Sequence, residues 1–460
     1  MTVILNLIAA AIGSLGLDAY QLSIFFIALM FVLMFVGLLL GQELCFVMGG
    51  IGVVVGFLAF GGNGISIALT KMFDQMSSYT NVAMPMFILM ANFLSYSKVA
   101  DGLFESIRYL LGPLKGGLGV AVILVSTIFA ATTGIVGASV VTMGMLSFPV
   151  LMRAKYDKAL TCGIVSSGGC LGILIPPSIM LVSMGSYAQV SVGKLFFAAI
   201  IPGLFLSLAY TIYVLVVCHI HPEYGPAMSK EELATVPMKK RITGSLKNLI
   251  PPLLLIAGVL GSIFAGIATP TEASGVGALL ALLLSILYRQ FSWKMLYDSI
   301  VNTAKTCAMV FSILLMAGCF TGIFMSMNGD VIIMNILETL GIGRIGALAI
   351  LFALVFIMGC FLDWTGIIMI VLPIFLPIMD TFGVDRLWLC ATLAVLLQTC
   401  FMTPPFGFAL FFMKGIVPAG VKMTDVYRGV IPFIAIILVV MLICVVFPPL
   451  VTWLPNAMIS

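Results

Sequence analysis

The segment PVLMRAKYDKALTCGIVSSGGCLGILIPP (149–177) aligns without gaps to PIMDTFGVDRLWLCATLAVLLQTCFMTPP (377–405). The shared residues are Pro149 with Pro377, Asp157 with Asp385, Cys162 with Cys390, and Pro176-Pro177 with Pro404-Pro405. The relation continues at nearly constant offset to Thr133-Gly134 with Thr365-Gly366, Glu43 with Glu272, and Pro202 with Pro432. The matched residues are scarce in an apolar background, so they predict an internal repeat; a chance similarity of two apolar segments is the alternative.

Composition places both copies in a membrane. Of the 460 residues, 62% are hydrophobic and 8% are charged, whereas a soluble domain has about a quarter of its residues charged. The net charge of +4 is spread along the chain without a basic run, so a nucleic-acid partner is excluded. No histidine, cysteine and acid converge at membrane depth, which argues against a membrane-embedded enzyme.

Apolar runs long enough to cross a bilayer predict spans at 22–40, 43–60, 80–97, 159–187, 195–218, 248–266, 271–288, 302–325, 387–413 and 430–453. Two further apolar stretches, 117–151 and 346–379, are interrupted by Thr132-Thr133-Gly134 and by Asp363-Trp364-Thr365-Gly366. Each stretch could be two ordinary spans. Their pieces are short, however, and fit re-entrant hairpins whose tips line a protein cavity better.

Orientation follows from the basic residues. If the N-terminus is outside and both stretches are hairpins, all of the 21 Lys and Arg residues except Lys71, Lys194, Arg344 and Arg386 lie on the inner side, as the positive-inside rule requires. The predicted domains are a first repeat, 1–218, a cytoplasmic connector, 219–247, and a second repeat, 248–460, of opposite orientation. Inverted repeats with interrupted helices are typical of secondary transporters, which bind their substrate near the midplane.

The double prolines predict where ligands bind. Two consecutive prolines remove two amide donors and forbid helix before them, so the spans 159–187 and 387–413 should be broken helices. Gly168-Gly169 and Gly172 loosen the first break, while Thr399 and Thr403 place hydroxyls beside the second. Unwound carbonyls and hydroxyls suit an alkali cation, and half-helix N-termini suit an anion. Simple kinks in packed helices are the alternative.

The hairpin tips carry the other candidate residues. Thr132, Thr133, Gly134 and Ser139 make the first tip small and rich in hydroxyls, which allows close approach of a ligand. Asp363 is the acid expected at membrane depth in the second tip, where it would favour a bound cation or cap the following half-helix. The residues expected around the substrate are Thr132, Thr133, Ser139, Asp363, Thr365, Pro177 and Pro405.

Four motifs together resemble the large membrane subunit of tripartite ATP-independent periplasmic (TRAP) transporters. They are TGIVGASVVTMG (133–144), Tyr156-Asp157-Lys158, GILIPPS (172–178) and ATPTEA (268–273). The resemblance extends from about residue 20 to 455. It implies an all-α polytopic protein of the bacterial inner membrane, with inverted repeats and both termini periplasmic, that takes up an organic acid with sodium by an elevator motion.

The resemblance also implies partners and ion ligands. Members of this family work with a small four-span membrane subunit and a periplasmic binding protein; a stand-alone sodium-coupled carboxylate carrier is the alternative. Two sodium sites are implied, one at Thr133, Gly134, Ser139 and Gly169 near Gly172, the other at Thr365, Gly366, Thr399 and Thr403. Ser139-Val140-Val141 stands where many members have a serine-rich tip followed by Ala-Asp. This departure favours the branch resembling mannitol/chloroaromatic or 2-oxo-acid permeases over carriers of four-carbon dicarboxylates or sialic acid.

Overall fold

The described chain is mainly α-helical. The structure is a computed structural model that describes residues 18–134, 136–405, 407–418 and 420–457, and within these ranges it contains no β-strand. The first ten helices are α1 (Ala19–Leu39), α2 (Leu44–Phe60), α3 (Gly62–Met76), α4 (Ala83–Tyr96), α5 (Val99–Leu111), α6 (Gly117–Thr133), α7 (Val136–Arg153), α8 (Lys158–Cys170), α9 (Ile179–Ala188) and α10 (Val192–Ile220).

The remaining helices begin with α11, inside the predicted connector 219–247. They are α11 (Lys230–Ala234), α12 (Met238–Phe264), α13 (Pro270–Leu287), α14 (Trp293–Ser326), α15 (Gly329–Thr339), α16 (Arg344–Gly359), α17 (Trp364–Thr381), α18 (Arg386–Leu396), α19 (Thr399–Met402), α20 (Phe408–Ile416), α21 (Met423–Val446) and α22 (Pro449–Asn456). Single 3-10 turns at Tyr79–Val82 and Leu171–Ile173 precede α4 and follow α8.

Side-chain caps set several helix starts. The Asp157 carboxylate accepts a hydrogen bond from the Leu160 amide at 2.9 Å and begins α8. Ser229 caps α11 through the Glu232 amide, whose nitrogen lies 3.2 Å from the Ser229 hydroxyl oxygen. Glu272 accepts hydrogen bonds from the Thr269 amide and hydroxyl at 2.8 and 2.9 Å, a capping box that satisfies free amides at the start of α13.

The predicted spans agree with the helices apart from some ends. In the described ranges, seven helices are long and apolar enough to cross a membrane. The number rises to nine if the bent pairs α4–α5 and α15–α16 each count as one span. The last predicted span, 430–453, overlaps α21 (Met423–Val446), but both of its ends are wrong. The helix α21 ends at Val446, and α22 starts separately at Pro449, because Pro448 and Pro449 cannot supply the amides that would continue the helix.

Both interrupted stretches are helix pairs. The first pair, α6 and α7, separates at Gly134, where φ is +61°, as predicted. The second pair, α16 and α17, separates at 360–363, earlier than expected. Thr365 and Gly366 therefore lie in the first helical turn of α17 and not in an unwound tip. That the two pairs re-enter the membrane remains a prediction.

Unusual backbone conformations recur along the chain at a nearly constant separation. Pro176-Pro177 and Pro404-Pro405 are both cis. Left-handed residues occur in pairs at nearly the same separation as these prolines: Gly61 with Arg289, Lys98 with Asn328, and Lys155 with Gly383. From the second pair to the third, three helices follow in each half, α5–α7 and α15–α17. From the first pair to the second, the first half has α3 and α4 where the second half has the single helix α14. The opposite orientation of the halves remains a prediction.

The described residues form two compact units, and neither is one half of the sequence. Unit 1 consists of 18–78, 307–354 and 365–386, and unit 2 of 79–306, 355–364 and 387–457. Within unit 1, α2 packs on α14 so closely that a methyl group at Gly49 would lie 2.4 Å from the Met316 sulfur. Within unit 2, α8 crosses α21 at Gly163 and Gly429. A methyl group at Gly429 would lie 2.0 Å from the Ala159 carbonyl oxygen.

Backbone hydrogen bonds join the connector to the segments that precede α6 and α8. The Gly116 amide donates to the Gly225 carbonyl at 2.8 Å, and the Asp157 amide donates to the Tyr224 carbonyl at 3.0 Å. The Met228 amide donates in turn to the Gly112 carbonyl at 2.9 Å. We call residues 221–228 the connector clasp, because they join the starts of α6 and α8.

Candidate functional site

The first candidate site is built on the turn between α6 and α7. The hydroxyl oxygens of Thr133 and Ser139 are 2.8 Å apart, and both side chains are buried. The Thr133 hydroxyl also lies 3.1 Å from the Phe129 carbonyl oxygen, to which it can donate. If Thr133 donates to Phe129 and Ser139 donates to Thr133, both hydroxyls keep lone pairs for a cation.

This tip lies against the first helix break. A methyl group at Gly134 would lie 2.8 Å from the Pro177 carbonyl oxygen and 3.4 Å from the Ser178 Cα. Ser178 stabilises the broken segment, because its hydroxyl donates to the Ile173 carbonyl and accepts from the Leu181 amide at the start of α9, at 3.4 Å. The close approach of Gly134 to Pro177 therefore requires glycine.

Helix α8 closes the other side of the tip. A methyl group at Gly169 would lie 2.4 Å from Val140 Cγ2 and 2.8 Å from Val140 Cα, directly beside Ser139. The structure thus brings together Thr133, Gly134, Ser139 and Gly169, the residues of the first implied sodium site, with Pro177. Gly172 continues α8 in its 3-10 turn. The Thr132 hydroxyl donates to the Phe129 carbonyl at 2.6 Å, which directs it back onto its own helix.

The second candidate site surrounds the break between α18 and α20. The Thr399 hydroxyl donates to the Leu396 carbonyl at 2.7 Å, and the Thr403 hydroxyl donates to the Thr399 carbonyl at 2.8 Å. Both side chains are buried, while Pro405 is exposed. A methyl group at Gly359, the last residue of α16, would lie 2.9 Å from the Cys400 sulfur, so the end of α16 packs on this break.

The other predicted residues of the second site lie at the start of α17. Asp363 is half-buried and directly precedes this helix, and Thr365 is buried in its first turn. Asp363, Thr399 and Thr403 belong to unit 2, whereas Thr365 and Gly366 belong to unit 1. The free amides of a first helical turn favour negative charge, so the start of α17 suits an anionic group.

The buried polar side chains of the described residues are neutral: none is Lys, Arg, Asp or Glu. In the same residues, no three His, Cys, Asp or Glu side chains are grouped so that they could hold a metal ion. A cation bound in the interior would therefore use hydroxyl and carbonyl oxygens. These are hard ligands, which suit alkali ions better than transition metals.

Several buried polar atoms without a partner were not predicted from the sequence. Across the described ranges, the Gln398 Nε2 and the hydroxyls of Ser126, Ser166 and Thr392 have no hydrogen-bond partner. Gln398 lies in the turn between α18 and α19 and is 1% exposed. A polar side chain inside an apolar run is a signal of function, and the amide of Gln398 in the run 387–413 could have been singled out on that ground.

A separate cavity of about 780 Å³ lies between α7 and α20. Its lining is apolar and includes Met145, Phe148, Phe411 and Ile416. None of the predicted site residues lines it. Near the tip the same two helices touch, since a methyl group at Gly137 would lie 2.9 Å from the Phe412 ring.

Interrupted helices beside hydroxyl-bearing turns, in a chain of apolar helices, are typical of secondary transporters. The family model described as "Tripartite ATP-independent periplasmic transporter, DctM component" matches residues 4–450. The chain therefore belongs to the DctM family of large permease subunits of TRAP transporters, and it is a polytopic integral membrane protein that serves binding-protein-dependent uptake. Its function is transport and not catalysis.

Relatives with different substrates match most of the chain. It is 30% identical over 408 residues to the C4-dicarboxylate TRAP transporter large permease protein DctM of Pseudomonas aeruginosa, covering 88% of this chain and 93% of the relative. It is 31% identical to the isethionate TRAP transporter permease protein DctMQ of Oleidesulfovibrio alaskensis, covering 87% and 62%. It is 27% identical to the ectoine TRAP transporter large permease protein TeaC of Halomonas elongata, covering 91% and 96%.

A solved structure shares the fold. The YdaH transporter of Alcanivorax borkumensis, described as having an unusual topology, superposes with a TM-score of 0.61 over 88% of this chain and 98% of its own. The sequence identity is 12%, so this likeness concerns architecture alone.

Proposed function

We propose that the protein imports a small organic anion into bacteria together with sodium ions, as the large inner-membrane subunit of a three-component transporter with an elevator motion. The observation that carries this proposal is the first site, where the Thr133 and Ser139 hydroxyls, 2.8 Å apart, lie in a tip that contacts the carbonyl of Pro177. Hydroxyl and unwound carbonyl oxygens in a neutral interior are suited to an alkali ion.

Sodium is a better candidate than a proton as the coupling ion. Within the described residues the buried polar set holds no acid, base or histidine that could relay protons. Each sodium ion that enters with the membrane potential contributes about 2.3 kcal/mol per 100 mV. We expect one ion at Thr133, Gly134, Ser139 and Gly169, and a second at Thr365, Gly366, Thr399 and Thr403.

The substrate would be bound by hydroxyl and backbone amide groups, which are neutral hydrogen-bond donors. The relatives named for C4-dicarboxylate, isethionate and ectoine indicate a small charged organic solute, and we expect an organic acid here. Its carboxylate would be bound by hydroxyls and first-turn amides near Thr132, Thr133, Ser139, Asp363, Thr365, Pro177 and Pro405, because helix starts favour anions.

We expect two partners, a small four-span membrane subunit and a periplasmic substrate-binding protein. The word "tripartite" in the family description supports this expectation. A stand-alone carrier of the same design is the alternative. Proteoliposomes that hold the large subunit, with and without the other two proteins, separate the two proposals, since a stand-alone carrier transports without them.

Uptake by the complete transporter tests the proposal directly. The vesicles are offered radiolabelled C4-dicarboxylate, isethionate, ectoine and 2-oxo acids, with sodium or choline outside at constant pH. We expect accumulation of one organic acid in sodium and background uptake in choline. Equal accumulation in the two salts would exclude sodium coupling.

Substitutions of Asp363 and Asp157 should have different effects on the sodium dependence of uptake. Asp363→Asn should raise the sodium concentration for half-maximal uptake about tenfold, a loss of about 1.4 kcal/mol in ion binding, because its negative charge lowers the cost of holding a cation at depth. Asp157→Asn should leave this concentration unchanged, because Asp157 caps α8 and asparagine caps equally well. An unaltered sodium dependence in Asp363→Asn would make that residue a structural cap.

A second prediction concerns the inverted orientation. Arg153 and Thr381 are corresponding, exposed residues at the ends of α7 and α17, yet they should face the cytoplasm and the periplasm respectively. In intact cells, an impermeant maleimide should label Thr381→Cys and spare Arg153→Cys. Inside-out vesicles should reverse the pattern, and labelling of both sites from one side would contradict the inverted repeat.

A further inference from the structure

The first three turns of α12 carry an exposed apolar stripe. Met238, Ile242, Leu246 and Ile250 recur at every fourth position and are 56, 44, 55 and 52% exposed. Residues at this spacing lie on one side of a helix. Large apolar side chains in a row at the end of a membrane helix require a cover of matching chemistry.

The opposite side of these turns is already bound to α5. The Asn248 side-chain amide donates to the Gly102 carbonyl at 2.8 Å and to the Ser106 hydroxyl at 2.6 Å. Ser245, on the same side as Asn248, is buried. This packing fixes the rotation of α12 and leaves the stripe facing away from α5.

Lysines flank the stripe. Lys239, Lys240 and Lys247 are exposed, and in the described residues none of them forms an ion pair. Arg241 is engaged elsewhere, since its guanidinium donates to the carbonyls of Val236, at 2.7 Å, and Leu233.

Acids are few around this surface. Helix α12 itself contains no Asp or Glu. The neighbouring acids are Glu231 and Glu232 on α11 and Asp101 and Glu105 on α5, and Glu105 pairs with Arg108 at 2.6 Å. The three lysines therefore give the stripe a positive border.

The length of α12 places this surface at the membrane boundary. Its 27 residues make a helix about 40 Å long, whereas the hydrocarbon core is about 30 Å thick. The basic first turns must extend into the headgroup layer. There, apolar side chains can reach the acyl chains while ammonium groups stay among the phosphates.

We infer that residues 238–250 form a binding surface for an anionic phospholipid, whose phosphate meets Lys239, Lys240 and Lys247 and whose acyl chains cover the stripe. The complementary charge selects an anionic lipid over a zwitterionic one of the same chain length. This inference requires a membrane protein but neither sodium coupling nor a particular substrate.

Purified full-length protein in neutral detergent tests the inference. Dioleoyl phosphatidylglycerol or dioleoyl phosphatidylcholine is added, and bound lipids are counted by native mass spectrometry while the melting temperature is followed. We expect phosphatidylglycerol to bind more tightly and to raise the melting temperature more, with both differences reduced in 0.5 M salt. Lys239→Gln/Lys240→Gln/Lys247→Gln should lower the affinity by about fivefold per lysine at low salt.

A matched variant controls for net charge. Lys194→Gln/Lys230→Gln/Lys305→Gln removes three exposed lysines from other helices and should bind phosphatidylglycerol like the unaltered protein. Equal melting temperatures in phosphatidylcholine would show that both variants fold. The inference is overturned if the two lipids bind alike, if both triple variants lose affinity equally, or if a co-purified small subunit, and not lipid, shields Lys239 and Lys247 from acetylation.

Discussion

Gly134→Ala is expected to abolish sodium-dependent uptake, whereas Gly383→Ala should keep most of it. Both glycines have left-handed backbones, with φ of +61° and +64°, so alanine costs about 1–2 kcal/mol of backbone energy at either position. Only Gly134 is crowded. Its new methyl group would lie 2.8 Å from the Pro177 carbonyl oxygen, while nothing lies within 4 Å of Gly383.

The comparison isolates the contact between the tip and the first helix break. Uptake at saturating sodium, the sodium concentration for half-maximal uptake, and the amount of folded protein in the membrane are measured for both variants. A Gly134→Ala protein that folds and transports with unchanged sodium dependence would show that the approach to Pro177 plays no part in ion binding.

Gly429→Ala should cause a large loss of stability, because the crossing of α8 and α21 has no room for a side chain. The methyl group would lie 2.0 Å from the Ala159 carbonyl oxygen and 2.9 Å from the Gly163 amide nitrogen. These are backbone atoms, which cannot move aside without separating the helices. Overpacking usually costs about 1–3 kcal/mol, and a backbone clash of this size should exceed that range.

Gly275→Ala is the matched control, since Gly275 lies inside α13 with nothing within 4 Å. Alanine there should stabilise the helix by about 0.5–1 kcal/mol. The melting temperatures of both purified variants, followed by size-exclusion chromatography after heating, should move in opposite directions. Similar melting temperatures would mean that the two helices do not pack at Gly163 and Gly429.

Much of the helix order could be predicted, because the spans and breaks of a membrane protein depend mainly on local sequence. Apolar runs mark the spans, and the double prolines mark the breaks near Pro177 and Pro405, since proline acts through the local backbone whatever surrounds it. The tip at Thr133-Gly134 was likewise predictable from its own residues.

Other features depend on partners distant in sequence. The second helix pair separates at 360–363 and not at Thr365-Gly366, and composition alone does not determine this position. The close contact of Gly169 with Val140, next to Ser139, depends on how α8 packs on α7. It could not be predicted from local sequence. The buried amide of Gln398 was visible in the sequence, but its lack of a partner in the described structure was not.

The connector clasp has a consequence for how the protein is made. During translation, α6 and α7 are synthesised well before residues 221–228. Until then the Gly112 carbonyl and the Gly116 and Asp157 amides lack their final hydrogen-bond partners. Translation must reach Met228 before the base of the first helix pair can close. The first half therefore lacks the hydrogen bonds of the connector clasp until residues 221–228 are synthesised. Insertion machinery or chaperones meet the nascent chain in that form.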